Sequence, residues 1–248
     1  MNEYKNKLFH IARKDELFEM GLRLLYDTAY KFLDAEHIIN NEILDIGCGT
    51  GTFLDYVNCS YFRYTGIDIS RVNIEKARRK HGRTFKVMSA EKLKFKDNSF
   101  DKIVCIELIE HLFTSELIAV LREMDRVLKP GGIAVISTPN LSYLWSYLPW
   151  SLFPFKRRAG LAQYREGKRD GAYEENHPDF PVHFRFDREF IIDVIRLYTN
   201  FDIEDVTTTF WYNNRYMSHI PKFIQRWLHK SLRGWRLGAH TVIKCKKR

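Results

Sequence analysis

The 248-residue chain is poor in cysteine, and its four, Cys48, Cys59, Cys105 and Cys245, lie far apart with no CxxC pair. That spacing excludes a zinc ribbon and a disulfide framework, and it points to a reducing, cytosolic compartment. Long hydrophobic runs are missing too. The opening stretch MNEYKNKLFHIARKDELFEM lacks the unbroken apolar core of a signal peptide, and no segment offers the roughly 20 apolar residues of a spanning helix. The dinucleotide fingerprint G-x-G-x-x-G also fails, because Gly47 and Gly49 would require glycine at position 52, where the chain has Thr52. A nicotinamide oxidoreductase is therefore disfavoured.

Charge is plentiful but uneven. The formal net charge is +9; residues 1–140 hold 21 Lys and Arg against 20 Asp and Glu, and residues 141–248 hold 19 against 11. A positive C-terminal part would attract phosphates of nucleic acid, lipid headgroups or a nucleotide-linked substrate. The length suits one domain over 1–248 with its own core.

Periodicity gives the class. Phe18, Leu22, Leu25, Ala29 and Phe32 recur at helical spacing, which predicts an amphipathic helix within an N-terminal cap over 1–40. Strands are predicted near 42–47, 62–68, 84–88, 101–107 and 132–138, with helices near 52–58, 70–81 and 114–127 between them. Alternation of this kind implies parallel strands joined by right-handed crossovers. A helix near 187–198 and strands at 201–209 and 240–246 follow. Two long inserts, 140–186 and 210–239, interrupt the order, and loops of that length in a compact domain are usually functional.

The stretch EILDIGCGTGT at 42–52 ends a strand in three glycines at every second position. Such a turn exposes backbone N–H groups at a helix start, and an acid at the end of the next strand, Asp68, is placed to accept from a ribose diol. LDIGCGTG at 44–51, GIDIS at 66–70, SAEKLKFKDNSFDKIVC at 89–105 and LKPGG at 128–132 occur in an order and spacing that resemble the class I S-adenosylmethionine-dependent methyltransferases. Their style is similar to that of the ubiquinone-pathway O-methyltransferases. The resemblance implies a Rossmann-like seven-stranded sheet, mostly parallel with an antiparallel last strand, helices on both faces and helical inserts as a cap. It also implies S-adenosylmethionine as cofactor. Asp45, Gly47, Gly49 and Gly51 would line its methionine and ribose side, Asp68 would hold the ribose hydroxyls, and Ala90 with Glu91 would flank adenine. Where the family usually has an acid before that alanine, this chain has Ser89, so adenine recognition would shift to Glu91 or to backbone.

Methyl transfer from a sulfonium is an in-line displacement, in which the enzyme positions the acceptor and, for a hydroxyl, handles its proton. CIELIEHLF at 105–113 places Glu107, Glu110 and His111 just past the fourth strand, and His177 and His183 follow the first insert. Two carboxylates with one or two imidazoles could hold a divalent metal with open positions for substrate oxygens. This E-x-x-E-H pattern with a later histidine resembles the ubiquinone-pathway enzymes and the small-RNA 2′-O-methyltransferases. In the competing reading the acid caps the next helix and His111 acts alone as general base.

The inserts are aromatic and basic. LSYLWSYLPWSLFPFKRR at 141–158 carries no charge before Lys156, and in HIPKFIQRWLHKSLRGWRLG Ile220, Phe223, Trp227 and Leu228 share one helical face. These suit an anionic membrane surface or a greasy channel, so the expected acceptor is a small molecule or a lipid-linked one, met by a cytoplasmic protein that is peripheral on the membrane. Nucleic acid ranks second as partner, because the same inserts mix Arg and Lys with aromatics. A non-catalytic membrane-binding module is the reading outside enzymology.

Overall fold

In the computed structural model the described residues are 16–33, 41–57, 62–140, 172–174, 184–186, 188–209 and 240–248. Helix α1 (Glu16–Phe32) precedes β1 (Glu42–Ile46), α2 (Thr52–Tyr56), β2 (Arg63–Asp68), α3 (Arg71–His81), β3 (Thr84–Val87) and β4 (Phe100–Ile106). A 3-10 turn at Ile109–His111 leads to α4 (Thr114–Val127) and β5 (Leu128–Pro139). The short strands β6 (Ala172–Glu174) and β7 (Phe184–Phe186), then α5 (Arg188–Tyr198), β8 (Phe201–Thr209) and β9 (His240–Lys247), complete the order.

Seven strands form one sheet in the order β3-β2-β1-β4-β5-β9-β8. The first five run parallel, and β9 enters between β5 and β8 antiparallel to both. Strand order reverses at β1 and β4, the place where open α/β sheets bind ligands beyond their carboxyl ends. Both faces are covered, so neighbouring residues on one strand belong to different cores. Ile43, Val104, Val135 and Val242 pack with Leu25 and Ala29 of α1 and Ile74 of α3. Leu44, Ile103, Ala134 and Ile243 pack with Leu121 of α4 and Ile191 of α5. Each large apolar side chain so buried contributes about 1.5–3 kcal/mol, which explains why these strands read as continuous apolar runs.

Three details differ from the sequence expectations. The LKPGG segment lies within β5 instead of turning into it: Phe100 pairs with Leu128 and Lys102 with Ile133, leaving four residues bulged opposite one. Gly131 has φ +74°, and a Cβ on Gly132 would come within 2.9 Å of the Asp101 carbonyl oxygen, so the bulge needs both glycines. α2 ends at Tyr56. The described part of the first insert is an antiparallel ribbon of β6 and β7, not a helix. Asn140, at the end of β5, bridges to Phe186, whose ring stacks on Phe190 at 6.0 Å. The rest of both inserts, including Trp150, Trp227, His177 and His183, lies outside the described residues.

Candidate functional site

The glycine turn is built from backbone. The amides of Gly47 and Cys48 both donate to the Ile67 carbonyl at 2.9 Å, and that of Gly51 donates to the Cys48 carbonyl at 2.9 Å. Such a tight reversal needs left-handed residues, and Gly47, Gly49 and Gly51 have φ of 75°, 54° and 83°. Gly51 is also crowded, since a Cβ there would lie 2.6 Å from the His81 ring and that ring would have to move.

Asp68 clamps this turn to the next helix. One carboxylate oxygen accepts from the Gly49 amide at 3.0 Å and the other from the Ser70 amide at 2.7 Å. Ser70 in turn caps α3, its hydroxyl accepting from the Asn73 amide at 3.3 Å. Ile69, between them, is 56% exposed, an apolar surface beside the acid. Ser89 accepts from the Glu91 amide at 3.2 Å and orders the turn carrying the half-buried Ala90, while Glu91 is exposed.

Asp45 lies deeper, where its carboxylate accepts from the Tyr64 hydroxyl. Burial, aided by the charge of Asp68 and opposed by the Tyr64 hydrogen bond, pushes its pKa up to about 7. Above it Tyr26 of α1 stacks on Tyr56 at 5.0 Å. Burial and the charges of Asp45 and Glu107 raise the Tyr26 phenol well above its ordinary value.

Glu107 occupies a left-handed conformation, φ 52°, just past β4. A non-glycine residue there is strained, and such strain concentrates at functional sites. The strain is held by contacts. The Glu107 amide donates to the Ser137 hydroxyl at 3.2 Å, that hydroxyl donates to one carboxylate oxygen at 2.8 Å, and His240 Nε2 sits 3.1 Å from the other. Burial would raise the Glu107 pKa, but the charge of His240, the hydrogen bonds from His240 and Ser137 and the charge of His111 outweigh it and hold it below the ordinary range.

Glu110 has the opposite environment. It is 2% exposed, one carboxylate oxygen has no hydrogen-bond partner, and the other is 3.8 Å from His111 Nε2. Burial and the charge of Glu107 push its pKa well above the ordinary carboxylate range. Among the described residues no three His, Cys, Asp or Glu side chains form a metal-holding group. Of the residues read from the sequence as a metal set, Glu107 is engaged by His240, Glu110 is buried, and His183 lies outside the described residues. Neither acid caps α4; Glu116 does, accepting from the Phe113 amide at 2.8 Å.

His240 and Ser137 were not singled out by the sequence pattern. Strand register brings them in: Ile106 pairs with Ser137, and Pro139 pairs with His240. Their only signal was polarity at the ends of apolar strands.

The methyltransferase domain family matches residues 44–136, which run from β1 through most of β5. The match supports a class I S-adenosylmethionine-dependent methyltransferase. An uncharacterised protein of Methanocaldococcus jannaschii is 37% identical over 123 residues, covering 47% of each chain. A ubiquinone biosynthesis O-methyltransferase of Rickettsia prowazekii is 34% identical over 104 residues, 40% of each chain. The chain thus spans less than half the length of these relatives. A crystal structure of a Methanosarcina mazei S-adenosylmethionine-dependent methyltransferase superposes with TM-score 0.62 at 23% identity, covering 88% of this chain and 97% of that one. Within the matched stretch lie the glycine turn, Asp68 and the turn at 89–91, with Glu107, Glu110 and His111 after the next strand.

Proposed function

We propose that the chain transfers the methyl group of S-adenosylmethionine to an oxygen of a small-molecule acceptor. The observation that carries this reading is the Asp68 clamp, whose carboxylate holds the Gly49 and Ser70 amides at the mouth of the glycine turn. The donor set fits the cofactor: an acid at the strand end for a ribose, the exposed Ile69 for an adenine face, and close backbone for the methionine part. The electrostatics fit too, because Asp68 and Glu107 stand at the carboxyl end of the sheet, with Asp45, whose pKa is about 7, beside them, which favours a cationic ligand.

When bound, S-adenosylmethionine would supply a methyl group on a sulfonium. His111, about a quarter exposed on the 3-10 turn, is the base for an acceptor hydroxyl. Glu107, whose pKa is held below the ordinary range, supplies negative charge, while burial and the charge of Glu107 oppose ionisation of Glu110. Oxygen as the methylated atom is supported by the ubiquinone biosynthesis O-methyltransferase among the relatives. A lipid-linked acceptor, and a cytoplasmic site of action at a membrane surface, rest on the composition of 141–158 and 220–232, outside the described residues. No described helix is long and apolar enough to cross a membrane.

Calorimetric titration with S-adenosylhomocysteine tests the cofactor, followed by transfer of a labelled methyl group to a panel of catechols with and without magnesium. Micromolar binding with labelled catechol is the expected result. Absence of binding returns the chain to a non-catalytic role, and labelled amines without labelled catechols would move the reaction from oxygen to nitrogen.

A further inference from the structure

The positive charge of the chain is concentrated where no motif points. Residues 71–96 carry ten Lys and Arg against two Asp and Glu, so this stretch of 26 residues holds a net +8 of the +9 total. It comprises α3, the edge strand β3 and the loop after it.

The fold presents these charges on both flanks of one sheet edge. On the α3 side Ile74 and Ala77 face the core while Arg71, Arg79 and Lys80 are exposed. Arg78 is spent on structure, its guanidinium donating to the Phe85 carbonyl and bracing the edge strand against the helix. On the opposite flank Leu93 and Phe95 turn inward, and Lys92, Lys94 and Lys96 alternate with them on the outside. Arg126 pins that loop, donating to the carbonyls of Leu93 and Phe95 at 2.9 Å, and Glu123 accepts from the Leu93 amide. The lysines therefore project from a fixed backbone. Lys80 pairs with Asp55, but no carboxylate pairs with Arg71, Arg79, Lys92, Lys94 or Lys96 among the described residues. Keeping so many like charges together and uncompensated costs stability through self-repulsion, which a polyanion would relieve.

We propose that the α3–β3 edge is a docking surface for the phosphate backbone of a single-stranded nucleic acid. Three observations favour a nucleic acid over a bilayer. The charges wrap a ridge, with α3 on one face of the sheet and the 92–96 loop on the other, so a plane meets one flank while a flexible strand can contact both. Exposed large apolar side chains on the ridge are limited to Val72 at 37% and Val87 at 44%, which leaves no aromatic or leucine anchor for an interface. The ridge is also three strands from β4, about 14 Å at sheet spacing, so a bilayer held there would lie away from the acceptor end. The surface neither requires nor identifies the acceptor, and it stands apart from the methyl-transfer reading.

The test uses the full chain and a fluorescein-labelled 20-nucleotide RNA of mixed sequence, with anisotropy read between 50 and 200 mM salt. Affinity is expected to fall linearly on logarithmic axes, at about 0.7 per phosphate neutralised on a single strand. In the variant Arg71→Gln, Arg79→Gln, Lys94→Gln, Lys96→Gln the slope becomes shallower by about 3, and binding at 50 mM salt weakens at least tenfold. Lys246→Gln with Arg248→Gln, removing basic groups at the opposite end of the sheet, leaves the slope unchanged. Retained S-adenosylhomocysteine binding shows that the four-site variant is folded. No RNA binding by the parent at 50 mM salt, or an equal slope in the four-site variant, overturns the proposal. Loss of binding to phosphatidylserine vesicles in that variant with RNA affinity intact also overturns it and assigns the ridge to lipid.

Discussion

The two halves of the site are held by different kinds of contact. On the proposed cofactor side, from β1 through the turn at 89–91, backbone amides do the positioning: Gly47 and Cys48 to Ile67, Gly49 and Ser70 to Asp68. On the proposed acceptor side, side chains from two strands converge on one residue past a third, with Ser137 and His240 both reaching Glu107. A backbone turn can be specified by a short run of glycines, whereas a convergent side-chain site needs the whole sheet in register first. The first therefore leaves a motif in the chain, and the second leaves scattered polar residues.

Breaking the long-range half should cost most in stability. His240→Ala strands the charge of Glu107 in a site where both partners are largely covered, and removing one member of such a pair costs about 3 kcal/mol. Thermal or urea unfolding should show that loss, and the double variant His240→Ala, Glu107→Gln should recover most of it. Full destabilisation in the double variant would mean that His240 acts by packing and not through Glu107.

Breaking the local half should instead cost ligand affinity. Asp68→Ala removes two charge-assisted hydrogen bonds to the glycine turn and α3, and S-adenosylhomocysteine binding measured by calorimetry should weaken about 100-fold, or about 2.7 kcal/mol. His111→Ala should leave that affinity in place and abolish turnover. Equal loss of affinity in both variants would erase the division between the two sides.

Gly66→Ala is a smaller perturbation of the same half. Its Cβ would lie 2.7 Å from the Phe85 ring and 2.9 Å from Cys48 Sγ, and overpacking of this kind costs about 1–3 kcal/mol. Unfolding midpoints would show it.

Asp45 sharpens the comparison through pH. Its pKa in the folded chain is about 7 against an ordinary value of 3.8, so between those values the folded state holds the extra proton. Stability then falls as pH rises through that window, the reverse of a salt-bridged acid. Asp45→Asn should flatten this part of the pH–stability profile, seen as a melting temperature that changes less from pH 5 to pH 7. A variant with the parent's slope would place the titration elsewhere.

Legibility followed the same division. The helices at 71–81 and 114–127 and the strands around the glycine turn stand within a residue or so of their expected positions, because apolar period and capping are local properties. Glu107, Glu110 and His111 were legible as a cluster, but the opposite pKa shifts of the two acids were not, since they depend on which acid meets His240 and which is buried without such a partner. The ridge at 71–96 was present in the linear charge count. Averaging over residues 1–140 cancelled it against acids elsewhere in that stretch.

The sequence by itself determined the alternation of strand and helix, the glycine turn and the acid one strand later, because each is set by neighbours a few residues apart. Only the tertiary structure decided that β9 enters between β5 and β8, that His240 and Ser137 fix Glu107, and that exposed basic residues of 71–96 flank one sheet edge. Those outcomes depend on strand order and register between distant segments, which no local pattern encodes.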